Sequence, residues 1–445
     1  MASDLLQIGA SGARAARAAL DVTAQNISNA STEGYVRRSI RLAEVAMSGG
    51  YGRLGDISLS GVRIDGVTRN ADLFRQSEVR RTGSDSARAS AELQGLENTE
   101  AAIEQANIFP SITAFETALQ RLSADPVDPS LRAAVLEDAR TMARTFNIGA
   151  QALASVGDGL HFEAADGVEQ VNLLAQELGR VNLRLARAVD ATSDQTQLLD
   201  QRDMLLQRLA GQVDVSTTIA ADNTVQVRIG GSGGPVLVSG GTVGSFASAT
   251  AANGTLSFTV DGSPVTLNAG SLAGKAQALV TLDDTRTRLD AVADALIATV
   301  NAVQTAGAAL DGSAGQPLFS GSGAAGITLA LTSGSQIATA PAGSGVGSRD
   351  PTNLDALKAA LTGNDISGQM DGLLFSVSSG VASRRTTAKA IDSIAASARI
   401  ALEQQSGVDL DQEAVDLVRF QQAFQASGKV MQVASTLFDT LLAIR

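Results

Sequence analysis

Residues 24–39 read AQNISNASTEGYVRRS, and the stretch marks a change of regime in the chain. Upstream of it, Leu6, Ala13, Leu20 and Ile27 recur every seven residues, with Ala10, Ala16 and Ala24 filling the same stripe. A seven-residue apolar repeat predicts one helix of about 27 residues, roughly 40 Å at 1.5 Å per residue. Asn26 and Asn29 sit where that helix stops. Gly34 permits a turn, and from Tyr35 the run YVRRSIRL alternates as an extended path. The helical face is narrow and built of small side chains. It can bring a second helix close but buries too little area to be stable alone.

The other end of the chain carries a matching pattern. Leu410, Leu417, Phe424, Met431 and Phe438 also recur every seven residues, and Ala414, Phe420, Ala434, Leu441 and Leu442 widen the stripe. The preceding SGVDLDQEAV offers Asp409 or Asp411 as an N-cap, with acids in the first turn. Two terminal helices with such seams are natural partners for each other or for neighbouring copies. The plainer reading of the same periodicity is a pair of amphipathic core helices.

Between the ends the expected order is helical with β interruptions. VRRSIRLAEV and ISLSGVRIDGVTR alternate at period two and predict short strands. Helix returns from Asp72 to about Asn107. Asp128 before Pro129 predicts a capped helix running to about Val156. Val171, Leu174, Leu178, Val181, Leu185 and Val189 predict a further one, and DQTQLLDQRDMLLQRLAG a shorter helix ending at Gly211. Residues 213–271 turn rich in Gly, Thr, Ser and Val, with strands expected at VDVST, TVQVRI, PVLVS, TLSFTV and PVTL. Helix resumes from Leu272 to about Thr305, before a second Gly/Ser-rich stretch.

The expected fold class is α+β, mostly α. Its parts are long terminal coiled-coil helices (1–35 and 408–445), a helical rod body (36–212, 272–306 and 348–407), and one small antiparallel β domain inserted outward (213–271 and 307–347).

Composition narrows the function classes. The chain has 445 residues, enough for several domains, and only 3% are aromatic, with no Trp. Its packing must rest on Ala, Leu, Val and Ile. Net charge is −12 with no basic stripe, so nucleic acid is not an expected partner. There is no Cys and one His, His161, which removes thiolate chemistry and His-rich metal sites from consideration. No catalytic, cofactor or metal residues are expected. The opening MASDLLQIGASGAR lacks the basic and apolar regions of a cleaved signal, and no window is apolar enough to span a bilayer. GSGAAG at 321–326 fits G-x-G-x-x-G, but a strand-like ITLAL follows it where a dinucleotide site needs a helix. It reads as a loop. Asp283 and Asp284 beside Arg286 and Arg288 read as a solvated face, and His161 as a surface or capping residue.

The two ends carry a resemblance. LDVTAQNISNASTEGYVRRSI, with Ala24, Asn26, Ile27, Asn29, Ala30, Gly34 and Tyr35 in an A-x-N-I-x-N-A turn, resembles the N-terminal signature of the bacterial flagellar axial proteins. SGVDLDQEAVDLVRFQQAFQASGKVMQVASTLFDTLLAIR resembles the matching C-terminal end. Within that family, LLDQRDMLLQRLAGQVDVS, LIATVNAVQTAGAALDGSAGQPLF, GVRIDGVTRNADLFRQSEVRR and SADPVDPSLRAAVLEDARTMARTFN are similar to members at the junction of hook and filament. The resemblance implies a structural, non-enzymatic role: a tubular homo-oligomer formed by the terminal helices, joining hook to filament. It implies contacts with the hook protein and a second junction protein, and export through the flagellar type III apparatus with a chaperone on the C-terminal helix. Its place would be the extracellular flagellum. The alternative is another axial protein, the hook protein or the second junction protein. The assembly residues would be Leu6, Ala13, Leu20, Ile27, Leu410, Leu417, Phe424, Met431 and Phe438.

Overall fold

A computed structural model describes residues 2–47 and 58–443 of the chain. Tyr51 and Ile57, the first residue of the expected second strand, lie outside the described residues, as do the side chains of Leu441 and Leu442. The fold is mostly helical α+β. The elements begin with α1 (Ala2–Ser28), β1 (Arg38–Met47), β2 (Ser58–Arg69), α2 (Leu73–Ala106), α3 (Ile108–Ala124), α4 (Pro129–Leu185) and α5 (Ser193–Gln212). Strands β3 (Val215–Ile219), β4 (Val225–Ile229), β5 (Val236–Ser239), β6 (Thr242–Val243), β7 (Phe246–Thr250), β8 (Leu256–Val260) and β9 (Ser263–Val265) follow. The rest are α6 (Ser271–Ala306), β10 (Gly307–Ala308), β11 (Phe319–Ser320), α7 (Gly323–Gly326), β12 (Thr328–Leu329), β13 (Ala340–Pro341), α8 (Thr352–Gly363), α9 (Ile366–Ser406) and α10 (Leu410–Ala443).

The chain divides into two compact units. The first holds Met1–Asp85, Gln170–Phe246 and Asp392–Arg445; the second holds Ser86–Glu169 and Ala247–Ile391. In the first unit α1 lies antiparallel to α10. Gly9 faces Met431, Gly12 faces Ser427, and Asn26 meets Glu413. The approach is close because the facing residues are small: a Cβ at Gly9 would stand 2.7 Å from Met431 Cγ. The face of α1 buried in this unit is Ala15, Ala16, Ala19, Val22, Thr23 and Asn26. That face lies roughly a third of a turn from the stripe Leu6–Ala13–Leu20–Ile27.

β1 and β2 form an antiparallel ribbon whose register shifts between Glu44 and Ala46. Opposite that shift, Gly61 adopts a φ of 92°, and a Cβ there would lie 2.1 Å from Ser11 Oγ of α1. Glycine is needed for both reasons. Its neighbour Val62 donates its backbone N–H to Ser11 Oγ at 3.2 Å. Further along, β3-β4-β5-β6 make one antiparallel sheet. β4 alternates, with Val225, Val227 and Ile229 buried and Gln226 and Arg228 between them, as period two demands.

The second unit has the continuous core, drawn from α2, α3, α4, α6, α8 and α9 and from residues 318–337. Phe115, Phe146, Leu153, Leu289, Leu296, Ile366 and Met370 are each essentially inaccessible. Each contributes roughly 1.5–3 kcal/mol of burial. Phe115 meets Phe319 edge to face at 6.3 Å. The α4 start follows the sequence: Asp128 accepts from the backbone N–H of Ser130 at 2.7 Å and Leu131 at 3.0 Å, with Pro129 at the first helical position. α4 does not stop near Val156 but continues to Leu185. Gly157 costs about 1 kcal/mol of helix propensity, yet it lets Leu282 Cδ2 come within 3.2 Å of its Cβ position.

Residues 307–347 share no sheet with β3–β9. They form two short pairs, β10 with β13 and β11 with β12. Strands of two residues cannot carry a sheet. The stretch is tied to helices instead: Asn301 of α6 brackets Phe319, and Asn353 of α8 donates to Ala338 O at 2.8 Å.

Candidate assembly site

The site expected at AQNISNASTEGY is a bonded cluster in the first unit. Asn26 is 1% exposed. Its Nδ2 donates to Arg38 O at 2.9 Å and to Glu413 Oε2 at 3.1 Å. Its Oδ1 accepts from Arg38 N at 3.0 Å and from the Tyr35 hydroxyl at 2.8 Å. One side chain thus joins the end of α1, the start of β1 and the start of α10. Asn29 does local work: its Nδ2 donates to Gln25 O at 2.9 Å and its backbone carbonyl accepts from Thr32 N at 2.9 Å. Gly34 has a φ of 77°, the turn conformation its sequence position requires, and lies against Met204.

Around this cluster runs a set of ion contacts that the sequence reading did not single out. Arg37 donates to Glu413 at 2.6 Å and to Asp416 at 3.3 Å. Arg38 pairs with Asp200 at 2.9 Å and stacks 4.9 Å above the Tyr35 ring. Arg69 donates to Asp203 at 2.8 Å, and its Nε lies 2.8 Å from Asp200 as an ion contact without hydrogen-bond alignment. Arg202 clasps Asp203 at 2.7 Å and 2.9 Å. The signal for them is in VRRSI and LLDQRD: charged residues set among apolar ones, in pairs that cannot all face solvent.

Burial separates the two carboxylates. Burial pushes Asp200 up, against the pull of Arg69 and Arg38. For Asp203 burial also acts upward, but Arg202 and Arg69 outweigh it and hold the group below the usual carboxylate range. Burial raises the Tyr35 phenol above its ordinary value, against Arg38. In each case the opposing influence is a charged neighbour within the same joint.

The expected seam residues fall into two groups. Leu6, Ile27, Leu410, Phe424 and Phe438 are exposed, while Ala13, Leu20, Leu417 and Met431 are half-buried. Met431 alone is brought against a glycine of the opposite helix. Asp409 is the N-cap of α10, accepting from Asp411 N at 3.0 Å and Gln412 N at 3.2 Å. In GSGAAG the backbone N–H groups of Gly323 and Ala324 already bond Asp294 and Asp290, at 2.6 Å and 2.7 Å. A loop so occupied by carboxylates is not a phosphate cradle. Among the described residues no group of three or more His, Cys, Asp or Glu is placed to hold a metal ion, and no helix is long and apolar enough to cross a membrane.

Comparison with known proteins fits this arrangement. Residues 6–35, covering α1 and the turn, match the family described as Flagella basal body rod protein. Residues 402–444, covering α10, match Flagellar basal body rod FlgEFG protein C-terminal. Flagellar hook-associated protein 1 of Salmonella typhimurium is 28% identical over 338 residues, covering 72% of this chain and 59% of its own length. The protein of that name in Bacillus subtilis is 27% identical over 234 residues, 48% of this chain and 46% of its own. The chain therefore spans about three-fifths of the length of the first of these relatives. The solved flagellar hook junction protein FlgK from Burkholderia pseudomallei is similar at 24% identity and a TM-score of 0.49, over 54% of this chain and 46% of that one. Residues 93–319, slightly more than half of the chain, match the family described as Flagellar hook-associated protein FlgK helical domain, and the chain belongs to that family.

Proposed function

We propose that this chain is a structural adaptor of the bacterial flagellum, joining hook to filament as a short ring or tube of identical copies. Family membership carries the reading, and the terminal pair supports it: α1 and α10 meet through small residues and leave Leu6, Ile27, Phe424 and Phe438 outward. Large apolar side chains left exposed on a helix pair mark an interaction surface, and head-to-tail contacts between identical subunits generate rings or tubes. The role is packing, not bond chemistry. The partners in this reading are further copies, the hook protein and a second junction protein. The chain leaves the cell through the flagellar type III apparatus without a cleaved signal, its α10 helix held by a chaperone until export, and it acts outside the cell. The α1 and α10 matches are to rod-protein families, so a second reading, another axial protein, stays in the test.

Deleting the encoding gene in a flagellated host should leave hooks in place and remove filaments, with filaments restored when the chain is supplied. Normal filaments in the deletion strain would overturn the reading. Loss of the hooks themselves would assign the chain to another axial position.

A further inference from the structure

In the second unit the turn between β7 and β8 carries Asn253–Gly254, and no other asparagine of the chain precedes a glycine. The turn dictates both residues. Ala251 N donates to Thr255 O at 2.9 Å and Gly254 N donates to Ala251 O at 2.9 Å, closing a short hairpin loop. Gly254 has a φ of 86°, the left-handed conformation that favours glycine. Asn253 fastens the loop. Its Oδ1 accepts from Thr255 N at 3.3 Å and from Thr255 Oγ1 at 2.8 Å. Its Nδ2 donates to Asp283 Oδ2 of α6 at 3.0 Å. Ala251, Ala252 and Asn253 are all exposed.

An asparagine side chain can close a cyclic imide with the backbone nitrogen of the next residue. Glycine hinders that closure least, having no Cβ and the freest backbone. Every other asparagine here precedes a residue that has a Cβ. Exposed turns open locally at small cost in free energy, and opening breaks the Gly254–Ala251 bond. The freed Gly254 nitrogen attacks Asn253 Cγ. The Cγ–Nδ2 bond breaks, and that nitrogen leaves as ammonia, taking the proton given up by Gly254 N. Water then opens the imide at either carbonyl, with OH going to carbon and H to nitrogen, to give aspartate or isoaspartate. In both products the donor to Asp283 is gone and a carboxylate has been added to the turn. Facing carboxylates repel. We propose that Asn253 is a site of spontaneous modification through this imide, and that the new carboxylate releases the β7–β8 turn from α6. Asp283 acts before and after the step: it holds the amide in place, and it repels the product.

The test holds the full chain folded at mildly alkaline pH and maps its peptides by mass, with isoaspartate detected by enzymatic methylation. The mass gain of an amide-to-acid change should appear at Asn253 before any other asparagine, more slowly than in the urea-unfolded chain. Asn253→Gln should abolish it. Asp283→Ala removes the acceptor and should speed conversion in the folded chain by about two- to tenfold. The release is read separately, by amide exchange. Asn253→Asp keeps the acceptor for Thr255 and should raise the exchange rate of Gly254 by about two- to fivefold. Adding Asp283→Asn, which swaps carboxylate and amide, should bring that rate back. A folded chain whose Asn253 stays intact while the unfolded chain converts would overturn the site. Unchanged exchange in Asn253→Asp, or a rise that the swap does not reverse, would overturn the release from α6.

Discussion

Asn26 shows how much a single amide can hold. Its four bonds tie three segments, and every partner is itself buried or half-buried. Alanine in its place leaves Arg38 N, Arg38 O and Glu413 without that partner. Buried groups stranded in this way cost about 1–3 kcal/mol each. Asn26→Ala should therefore lower the stability of the first unit by about 2–4 kcal/mol, measured by urea unfolding followed at that unit. The Asn29→Ala change removes only local bonds at a half-exposed site and should cost about 1 kcal/mol or less. Tyr35 offers a pH test. Its phenol is raised by burial. A group with a raised native value contributes stability that is fully present below the usual tyrosine value and is lost as pH rises through the native value. With Tyr51→Phe as background, Tyr35 is the one tyrosine left. Its phenolate absorbance should rise later than that of the urea-unfolded chain, and coincident curves would refute the point.

The asparagine of the N-terminal turn is one case of a device repeated at the level of elements. Asn172 brackets Phe246, Asn182 brackets Val225 and Asn301 brackets Phe319, each donating to the carbonyl and accepting from the N–H of one residue on an extended segment. A helix cannot pair with a strand through its own backbone, and the amide supplies the missing edge. Asn182 is fully buried and also donates to Gly240 O at 3.0 Å. Asn182→Ala should free the start of β4 and cost about 2–3 kcal/mol, seen as faster amide exchange at Val225 than at the α4 core. This device was not legible beforehand, because Asn in a helical stretch reads as neutral without its partner. Much else was. Period-two runs marked β1–β5, β8 and β9, the Asp128–Pro129 start was capped as expected, and seven-residue spacing marked α1 and α10. What periodicity missed was which face of α1 is covered inside the chain. The seven-residue spacing of Leu6, Ala13, Leu20 and Ile27 suggested one seam, but the face that carries Gly9 and Gly12 took α10. The continuity of α4 was missed as well: the helix expected to end near Val156 runs on through Gly157, which is a point of close contact with Leu282.

For the whole molecule, the consequence is a terminal pair held weakly from within and left sticky outside. Ala and Gly bury little area, so packing of α1 on α10 adds little beyond the Asn26–Glu413–Arg37 joint at its base. In dilute protein the amides of residues 2–28 and 410–443 should exchange faster than those of the α3–α4 core, and should slow when copies assemble; strong protection in the monomer would show instead that the pair is stable alone. The outward apolar residues sharpen the test. Phe424 is 44% exposed and Phe438 54%. A carboxylate at an exposed position costs the monomer little, within about 0.5 kcal/mol, but the same carboxylate buried unpaired between copies costs several kcal/mol. Phe424→Asp should therefore keep the Tm of the purified chain and abolish its incorporation onto hooks, whereas Phe424→Leu should retain it. Motile cells with normal filaments carrying Phe424→Asp would show that this face of α10 stays in solvent after assembly, and the outward apolar stripe would then need a partner other than the neighbouring copy.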